Sequence, residues 1–166
     1  FERHHIKKHK WFSFAFNGQL ANYTDLRERL LRDNDNHLIR DTDTEVIMHV
    51  LCRELNPNPA PDLAQVCRAL PREFDGAYSL VFLNALGELV VLRDPLGFKP
   101  LSWAFDGSLF AAASESVALL NLGFSPDSIK PVKPGQAIIV SKEGLRFEQF
   151  GTSPHCAHCF FEWIYF

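Results

Sequence analysis

Asn17 and Gly18 are the first residues of this sequence whose types and spacing can do chemistry. They follow positions 11–16, where large apolar and small residues alternate, a pattern that predicts a strand ending at this pair. A side-chain amide and an unobstructed backbone N–H at one strand end can together hold an oxyanion, the charge that develops when a carbonyl is attacked. Because Asn-Gly is also the commonest tight-turn dipeptide, an ordinary turn is the alternative interpretation.

Asp43 is the third candidate. It lies inside a capping-box pattern, with Thr42 as the N-cap and Glu45 at position N3, ahead of an apolar repeat with helical spacing. A carboxylate in the first turn of a helix is stabilised by the helix dipole and can pair with the ammonium group of a ligand. From the local sequence alone, an ordinary helix-start carboxylate is the alternative.

Helices precede most of the strands that must position these residues. Helical spacing of apolar residues predicts helices over 23–32, from near Asp43, over 62–70 and over 114–120. Short apolar runs separated by turn residues predict strands over 77–83, 88–93, 100–105, 108–113, 136–140 and 145–150. This segregation of helices and strands predicts an α+β fold with antiparallel sheets.

Several motifs occur in the order typical of one family. Positions 14–22 (FAFNGQLAN) and 43–47 (DTEVI) resemble the class II glutamine amidotransferases, also called N-terminal-nucleophile glutaminases. The similarity continues through RDPLGFKPL at 93–101, ASESVAL at 113–119 and KPGQ at 133–136. The last eight residues, CFFEWIYF, resemble the stretch by which the amidophosphoribosyltransferase-like branch passes from its glutaminase to its transferase domain.

The resemblance implies a fold, a reaction and roles for the three candidates. The fold is the four-layer αββα sandwich of the N-terminal-nucleophile hydrolases, and the 15 phenylalanines are expected to fill the layer between its two sheets. By this resemblance Asn17 and Gly18 form the oxyanion hole, and Asp43 binds the α-amino group of L-glutamine. The reaction releases glutamate and ammonia, which passes to an acceptor in a synthase or transferase domain or subunit. Residues 1–151 form the glutaminase domain, and 152–166 lead toward that second domain.

The sequence also departs from the family pattern. In the family a cysteine at the mature amino terminus is the nucleophile, and its own α-amino group is the general base; this sequence has Phe1 there. Nothing matches the family's Gly-His-x-Arg segment, and Phe16 stands where the family usually has histidine. We therefore expect a domain without its first strands that hydrolyses no glutamine in isolation. Whether the protein is an enzyme stays open, and the alternative is a catalytically dead glutamine-binding or protein-interaction module.

Composition limits the partners. A net charge of −3 and short apolar stretches argue against nucleic acid and membrane partners, while a homo-oligomer is left open. Four cysteines are too few for a disulfide scaffold, which favours the cytoplasm.

No cofactor or metal is predicted. The cluster HCAHC at 155–159 is spaced more tightly than zinc sites usually are, and Cys159 alone, at a position resembling one iron–sulfur ligand in some relatives, does not define a cluster. Cys52 and Cys67 are expected to be buried on apolar helix faces. Arg93 and Asp94 are expected to form a structural charge pair at a tight turn.

Overall fold

The computed structural model describes residues 8–32, 38–57, 59–158, 160 and 164. The helices in this part of the chain are α1 (Tyr23–Arg32), α2 (Asp43–Glu54), α3 (Leu63–Glu73) and α4 (Ser116–Asn121). The strands there are β1 (Phe12–Leu20), β2 (Gly76–Asn84), β3 (Leu89–Arg93), β4 (Ser102–Phe105), β5 (Phe110–Ala113), β6 (Lys130–Pro131), β7 (Gln136–Ser141) and β8 (Gly144–Gln149).

These strands form two antiparallel sheets. The large sheet has the order β1-β2-β3-β7-β8, and the small sheet has the order β5-β4-β6. Every pair in both sheets is antiparallel. The predicted α+β class with antiparallel sheets is therefore confirmed.

The main core lies between helices α1 to α3 and one face of the large sheet. Leu26 and Leu30 of α1 are four residues apart, so they share the face that packs on α2 and the sheet. Val50 of α2 and Leu70 of α3 are at most 1% exposed in the same cluster. Burial of these apolar stripes stabilises the three helices far more than their intrinsic propensity does.

The other face of the large sheet packs on the small sheet, and α4 covers the outside of the small sheet. Val91 and Ile138 of the large sheet meet Leu101 and Val132 in the layer between the sheets. A further cluster joins Leu119 of α4 to Ala104 of β4 and neighbouring residues. Three apolar layers thus separate four layers of secondary structure, and the expected αββα sandwich is confirmed.

The alternating phenylalanines of β1 face the helices, not the small sheet. Phe12, Phe14 and Phe16 pack against the helix–sheet core, while the residues between them are exposed. The expectation that they fill the layer between the sheets was wrong. Alternation shows that one face of a strand is buried, but it does not show which neighbouring layer buries it.

The starts of α1, α2 and α3 agree with the sequence patterns, whereas α4 begins at Ser116, two residues after its predicted start at 114. The cap of α2 also differs. Thr42 is the N-cap of α2, but its side chain makes no capping hydrogen bond. The Glu45 carboxylate accepts hydrogen bonds from the N–H groups of Ile39 (2.8 Å) and Arg40 (2.5 Å) instead. The reciprocal capping box was therefore wrong, because the preceding loop folds back over the helix and supplies the donors. Within the described ranges, no helix has the length and apolar character needed to cross a bilayer.

Candidate functional site

Asn17 and Gly18 lie inside β1, not at its end. The strand continues to Leu20, with Asn17 opposite Ser79 and Gly18 opposite Tyr78 on β2. The predicted strand end and the alternative interpretation as a tight turn were both wrong. The β1–β2 pairing, between residues about sixty positions apart in sequence, overrides the local turn preference of Asn-Gly.

Gly18 lies where the two strands approach too closely for a side chain. Its φ is +156°, and a Cβ added there would lie 1.9 Å from the Ala77 carbonyl oxygen and 2.8 Å from the Tyr78 Cα. Both atoms belong to the backbone, so neither can rotate away. Packing therefore requires a glycine at this position. Because glycine has no side chain, its N–H is also left unobstructed.

The Gly18 N–H points toward the open edge of the large sheet. On the β2 side, Ala21 N–H donates to the Asp75 carbonyl at 2.7 Å. On the opposite side, Leu20 N–H donates to the Asp43 carboxylate at 3.2 Å. Because N–H directions alternate along a strand, Gly18 shares the direction of Leu20. Among the described strands β1 is at the sheet edge, so this N–H is directed away from the sheet.

The Asn17 side chain lies on the face of the large sheet that packs on the small sheet. At Asn17 this face is exposed, and the small sheet covers it farther along the strands. Asn17 is exposed, whereas Val81, two residues beyond its partner on β2, packs into the layer between the sheets. An exposed amide thus adjoins an edge N–H on consecutive residues of β1. Two donors placed together in this way can hold one oxyanion.

Asp43 is brought to the same edge. It is the first residue of α2 and half-buried, and its hydrogen bond to Leu20 N–H fixes the helix start against the end of β1. Leu20 is two residues beyond Gly18, roughly 7 Å along an extended strand. The structure therefore places all three predicted site residues at one edge of the large sheet, with the Asp43 carboxylate bonded two residues beyond Gly18.

Asn22 supports this edge, although the sequence patterns gave it no role. Its side-chain amide donates to the Glu73 carbonyl at 2.7 Å and accepts from Asp75 N–H at 3.1 Å. These two bonds join the end of β1 to the link between α3 and β2. The available signal was an asparagine directly before α1, and such a residue usually caps a helix or forms an ordinary turn.

The turn after β3 is built around Asp94, which is fully buried. Its carboxylate accepts from the N–H groups of Tyr78 (3.2 Å) and Phe98 (3.2 Å), and Gly97 N–H donates to its carbonyl at 3.0 Å. Burial raises the pKa of the Asp94 carboxyl above its ordinary value, although these N–H donors oppose the shift. The predicted tight turn is confirmed.

Arg93 stabilises the same turn through the backbone. Its guanidinium donates to the carbonyls of Lys99 (2.6 Å), Gly97 (2.7 Å) and Val132 (3.0 Å). These contacts satisfy carbonyl groups of two separate loops. Arg93 is therefore structural, as expected, through these main-chain carbonyls, whereas the charge pair with Asp94 stays a prediction.

Cys52 and Cys67 both have thiols of lowered reactivity. Cys67 is buried in the helix–sheet core, as predicted, and burial raises its pKa to about 12. Cys52 is exposed, so its predicted burial was wrong, and desolvation still raises its pKa. A raised pKa lowers the population of the thiolate, which is the nucleophilic form.

No group of three or more His, Cys, Asp or Glu side chains converges on a metal position within the described ranges. Cys159 lies outside those ranges. A cleft of about 500 Å³ lies elsewhere, between Asp62 at the start of α3 and the β7–β8 hairpin with Arg146. None of the three predicted site residues lines this cleft.

Comparison with known proteins finds amidophosphoribosyltransferases that are similar to this chain. An amidophosphoribosyltransferase of Methanothermobacter thermautotrophicus is 34% identical over 154 residues, which cover 93% of this chain and 31% of the relative. The Escherichia coli amidophosphoribosyltransferase is 33% identical over 165 residues, covering 93% of this chain and 32% of the relative. The chain thus spans about a third of the length of these curated relatives.

A solved structure and a family model agree with these relatives. The glutamine phosphoribosylpyrophosphate amidotransferase from B. subtilis, solved with ADP and GMP, superimposes with a TM-score of 0.77 at 28% identity, over 92% of this chain and 32% of that one. The model of a glutamine amidotransferase domain matches residues 4–121. With that match over most of its length, the chain belongs to the glutamine amidotransferase domain family.

Proposed function

We propose that this chain forms the glutamine-binding part of a glutaminase, which hydrolyses L-glutamine to glutamate and ammonia. The observation that carries this proposal is the convergence of Asn17, Gly18 and Asp43 at one edge of the large sheet, with the Gly18 N–H directed outward. Membership of the family supports the same reaction.

Asn17 and Gly18 are assigned to the oxyanion. Attack on the side-chain carboxamide of glutamine converts its carbonyl oxygen into an oxyanion within a tetrahedral intermediate. The Asn17 amide and the Gly18 N–H donate to this oxygen, so they stabilise the transition state more than the ground state. Desolvation raises the pKa of both Cys52 and Cys67, and we assign neither as the attacking thiol.

Asp43 is assigned to the α-amino group of glutamine. Its carboxylate lies in the first turn of α2 and is already oriented by Leu20 N–H. A carboxylate has about four acceptor sites, so this bond leaves room for an ammonium donor. The charge-assisted bond would contribute to substrate binding in the ground state and the transition state alike.

For the protein as a whole we propose that the ammonia passes to an acceptor bound by a transferase domain. This proposal is supported by the amidophosphoribosyltransferase relatives, of which this chain covers about a third. We assign residues 1–151 to the glutaminase domain, since the N–H groups of Phe150 and Gly151 both bond to the Gly135 carbonyl, and 152–166 to the link. Free Cys52, Cys67 and Cys156 support a cytoplasmic setting.

Two substitutions test the assignment in the native protein. Asn17→Ala removes one oxyanion donor, so we expect kcat for glutamate release to fall on the order of 100-fold. Asp43→Ala removes a charge-assisted bond present before and during the reaction, so we expect KM for glutamine to rise roughly tenfold or more with a smaller change in kcat. Steady-state glutamate release measures both constants.

Matched controls are available on other elements. Asn121→Ala removes an exposed asparagine from α4, and Asp25→Ala removes a first-turn carboxylate from α1. Both should leave kcat and KM within about twofold of the native protein. Native rates in the Asn17 and Asp43 variants would overturn the site, and glutamine binding without glutamate release by the native protein would favour the catalytically dead module.

A further inference from the structure

Ser79 carries a buried hydroxyl that lacks a partner within the part of the chain the structure describes. The residue is 4% exposed, and its Oγ is among the buried polar atoms without a hydrogen bond there. Buried hydroxyls are normally paired, and an unpaired one opposes folding. The unpaired hydroxyl in the middle of β2 therefore needs an explanation, and a hydrogen bond within the proposed glutamine site would supply one.

The strand register places Ser79 beside Asn17. The two residues are direct cross-strand partners, so their side chains leave the same face of the large sheet. Their Cβ atoms are about 5 Å apart in such a pair, which lets a rotation about the Asn17 side chain bring its amide oxygen within reach of the hydroxyl. The other cross-strand partner of Ser79 is Arg93, whose guanidinium donates to three carbonyls.

We propose that Ser79 is a positioning residue for Asn17, an inference that rests on the proposed oxyanion role of Asn17. The Ser79 hydroxyl donates to the Asn17 Oδ1 atom and so fixes the plane of the amide. The Nδ2 group is then turned toward the oxyanion, next to the Gly18 N–H. A bond to the amide oxygen also polarises the amide, which strengthens its N–H groups as donors.

Ser79 is the buried hydrogen-bond donor among the cross-strand neighbours of Asn17 on β2. Ala15 and Val81, the next pair along one direction, are apolar, and in the other direction Ala77 is apolar while Gln19 is exposed. A serine hydroxyl can donate to an oxygen, whereas the asparagine amide needs an external donor to orient its Oδ1 atom. Ser79 is thus the donor that the register brings to Asn17.

The experiment uses the native protein and Ser79→Ala. We expect kcat for glutamate release to fall roughly tenfold, the equivalent of one typical hydrogen bond, with an unchanged KM for glutamine. We expect Tm to stay the same or rise, because the substitution removes a buried hydroxyl that is unpaired in the free protein. Ser13→Ala, on the same face of β1, is the matched control and should change neither kcat nor Tm.

A double-mutant cycle separates this role from a structural one. If Ser79 acts through Asn17, Ser79→Ala should have no further effect on kcat in an Asn17→Ala background. Native kcat in Ser79→Ala, a loss that persists in the double variant, or a parallel fall in Tm would each overturn the inference. Native kcat in Asn17→Ala alone would instead overturn the proposed function.

A second measurement does not depend on activity. The side-chain amide resonances of Asn17 should be restrained in the native protein saturated with glutamate and become more mobile in Ser79→Ala under the same conditions, as measured by 15N relaxation. Identical relaxation in the two proteins would overturn the inference even if glutamate release were not observed.

Discussion

Gly18 lies opposite Tyr78, where β1 and β2 approach so closely that only a hydrogen fits on its Cα. In the proposed site Gly18 contributes its backbone N–H, which can approach a ligand directly because it is unobstructed. The same close approach makes the residue sensitive to substitution. At this scale, one position thus combines strand packing with the proposed chemistry.

We predict that Gly18→Ala destabilises the protein by about 1–3 kcal/mol or more, because the added methyl group would overlap backbone atoms that cannot rotate away. Urea unfolding measures the change. Gly87→Ala is the matched control, since Gly87 also has a positive φ (+81°) but has nothing within 4 Å of an added Cβ. The backbone strain alone should cost about 1 kcal/mol there; equal losses in both variants would contradict the steric explanation.

At the scale of elements, the Asp62 side chain at the start of α3 both caps that helix and contacts a strand that is distant in sequence. Asp62 is the N-cap, and its carboxylate accepts from Ala64 N–H at 3.2 Å. The same carboxylate pairs with Arg146 of β8. This ion pair lowers the pKa of Asp62 below its ordinary value.

We predict that Asp62→Ala lowers the free energy of unfolding by about 1 kcal/mol at neutral pH, mainly through loss of the cap. Because the folded-state pKa is lowered, the contribution of the charge is present above the unfolded pKa of about 4 and is lost as pH falls through the folded value. Urea unfolding across pH measures both parts. Asp62→Asn keeps a capping oxygen and should lose less; an equal loss in Asp62→Asn would assign the effect to the ion pair.

At the scale of the whole molecule, Asp94 joins segments that are distant in sequence. Its carboxylate holds Tyr78 of β2 and Phe98 of the turn, and its carbonyl accepts from Gly135 N–H before β7. The residue thus ties together three parts of the large sheet near the proposed site. Its pKa is raised by burial in this junction.

We predict a pH dependence of stability that Asp94→Asn removes. Because the folded-state pKa is above the unfolded one, Asp94 favours the folded state most below pH of about 4, and this contribution is lost as pH rises through the folded pKa. The stability difference between the native protein and Asp94→Asn should therefore shrink or reverse with rising pH. Urea unfolding at a series of pH values measures it.

Asp106 provides a control of opposite sign. Hydrogen bonds from the N–H groups of Leu109 and Ser108 lower its pKa, so its contribution is lost as pH falls. The difference between the native protein and Asp106→Asn should grow with rising pH. The same direction of change for both aspartates would contradict the assignment of burial as the dominant cause at Asp94.

The sequence by itself determined the features that depend on near neighbours. Helix α1 covers the residues that its apolar spacing predicted, and α2 begins at Asp43 as its polar start indicated. The order of helices and short strands along the chain was sufficient to predict the α+β fold class. The family motifs pointed to Asn17, Gly18 and Asp43 before their spatial relation was known.

Only the tertiary structure decided the features that depend on distant pairing. The β1–β2 register carried Asn17 and Gly18 into the middle of a strand, the large sheet turned the β1 phenylalanines toward the helices, and Cys52 stayed exposed. The register also placed Ser79 beside Asn17, though 62 positions separate them in sequence. Local propensity and alternation are set by neighbouring residues, whereas register and choice of layer are set by contacts between remote ones. The sequence thus supplied the candidate groups for the proposed site, and the pairing of β1 with β2 decided where they lie.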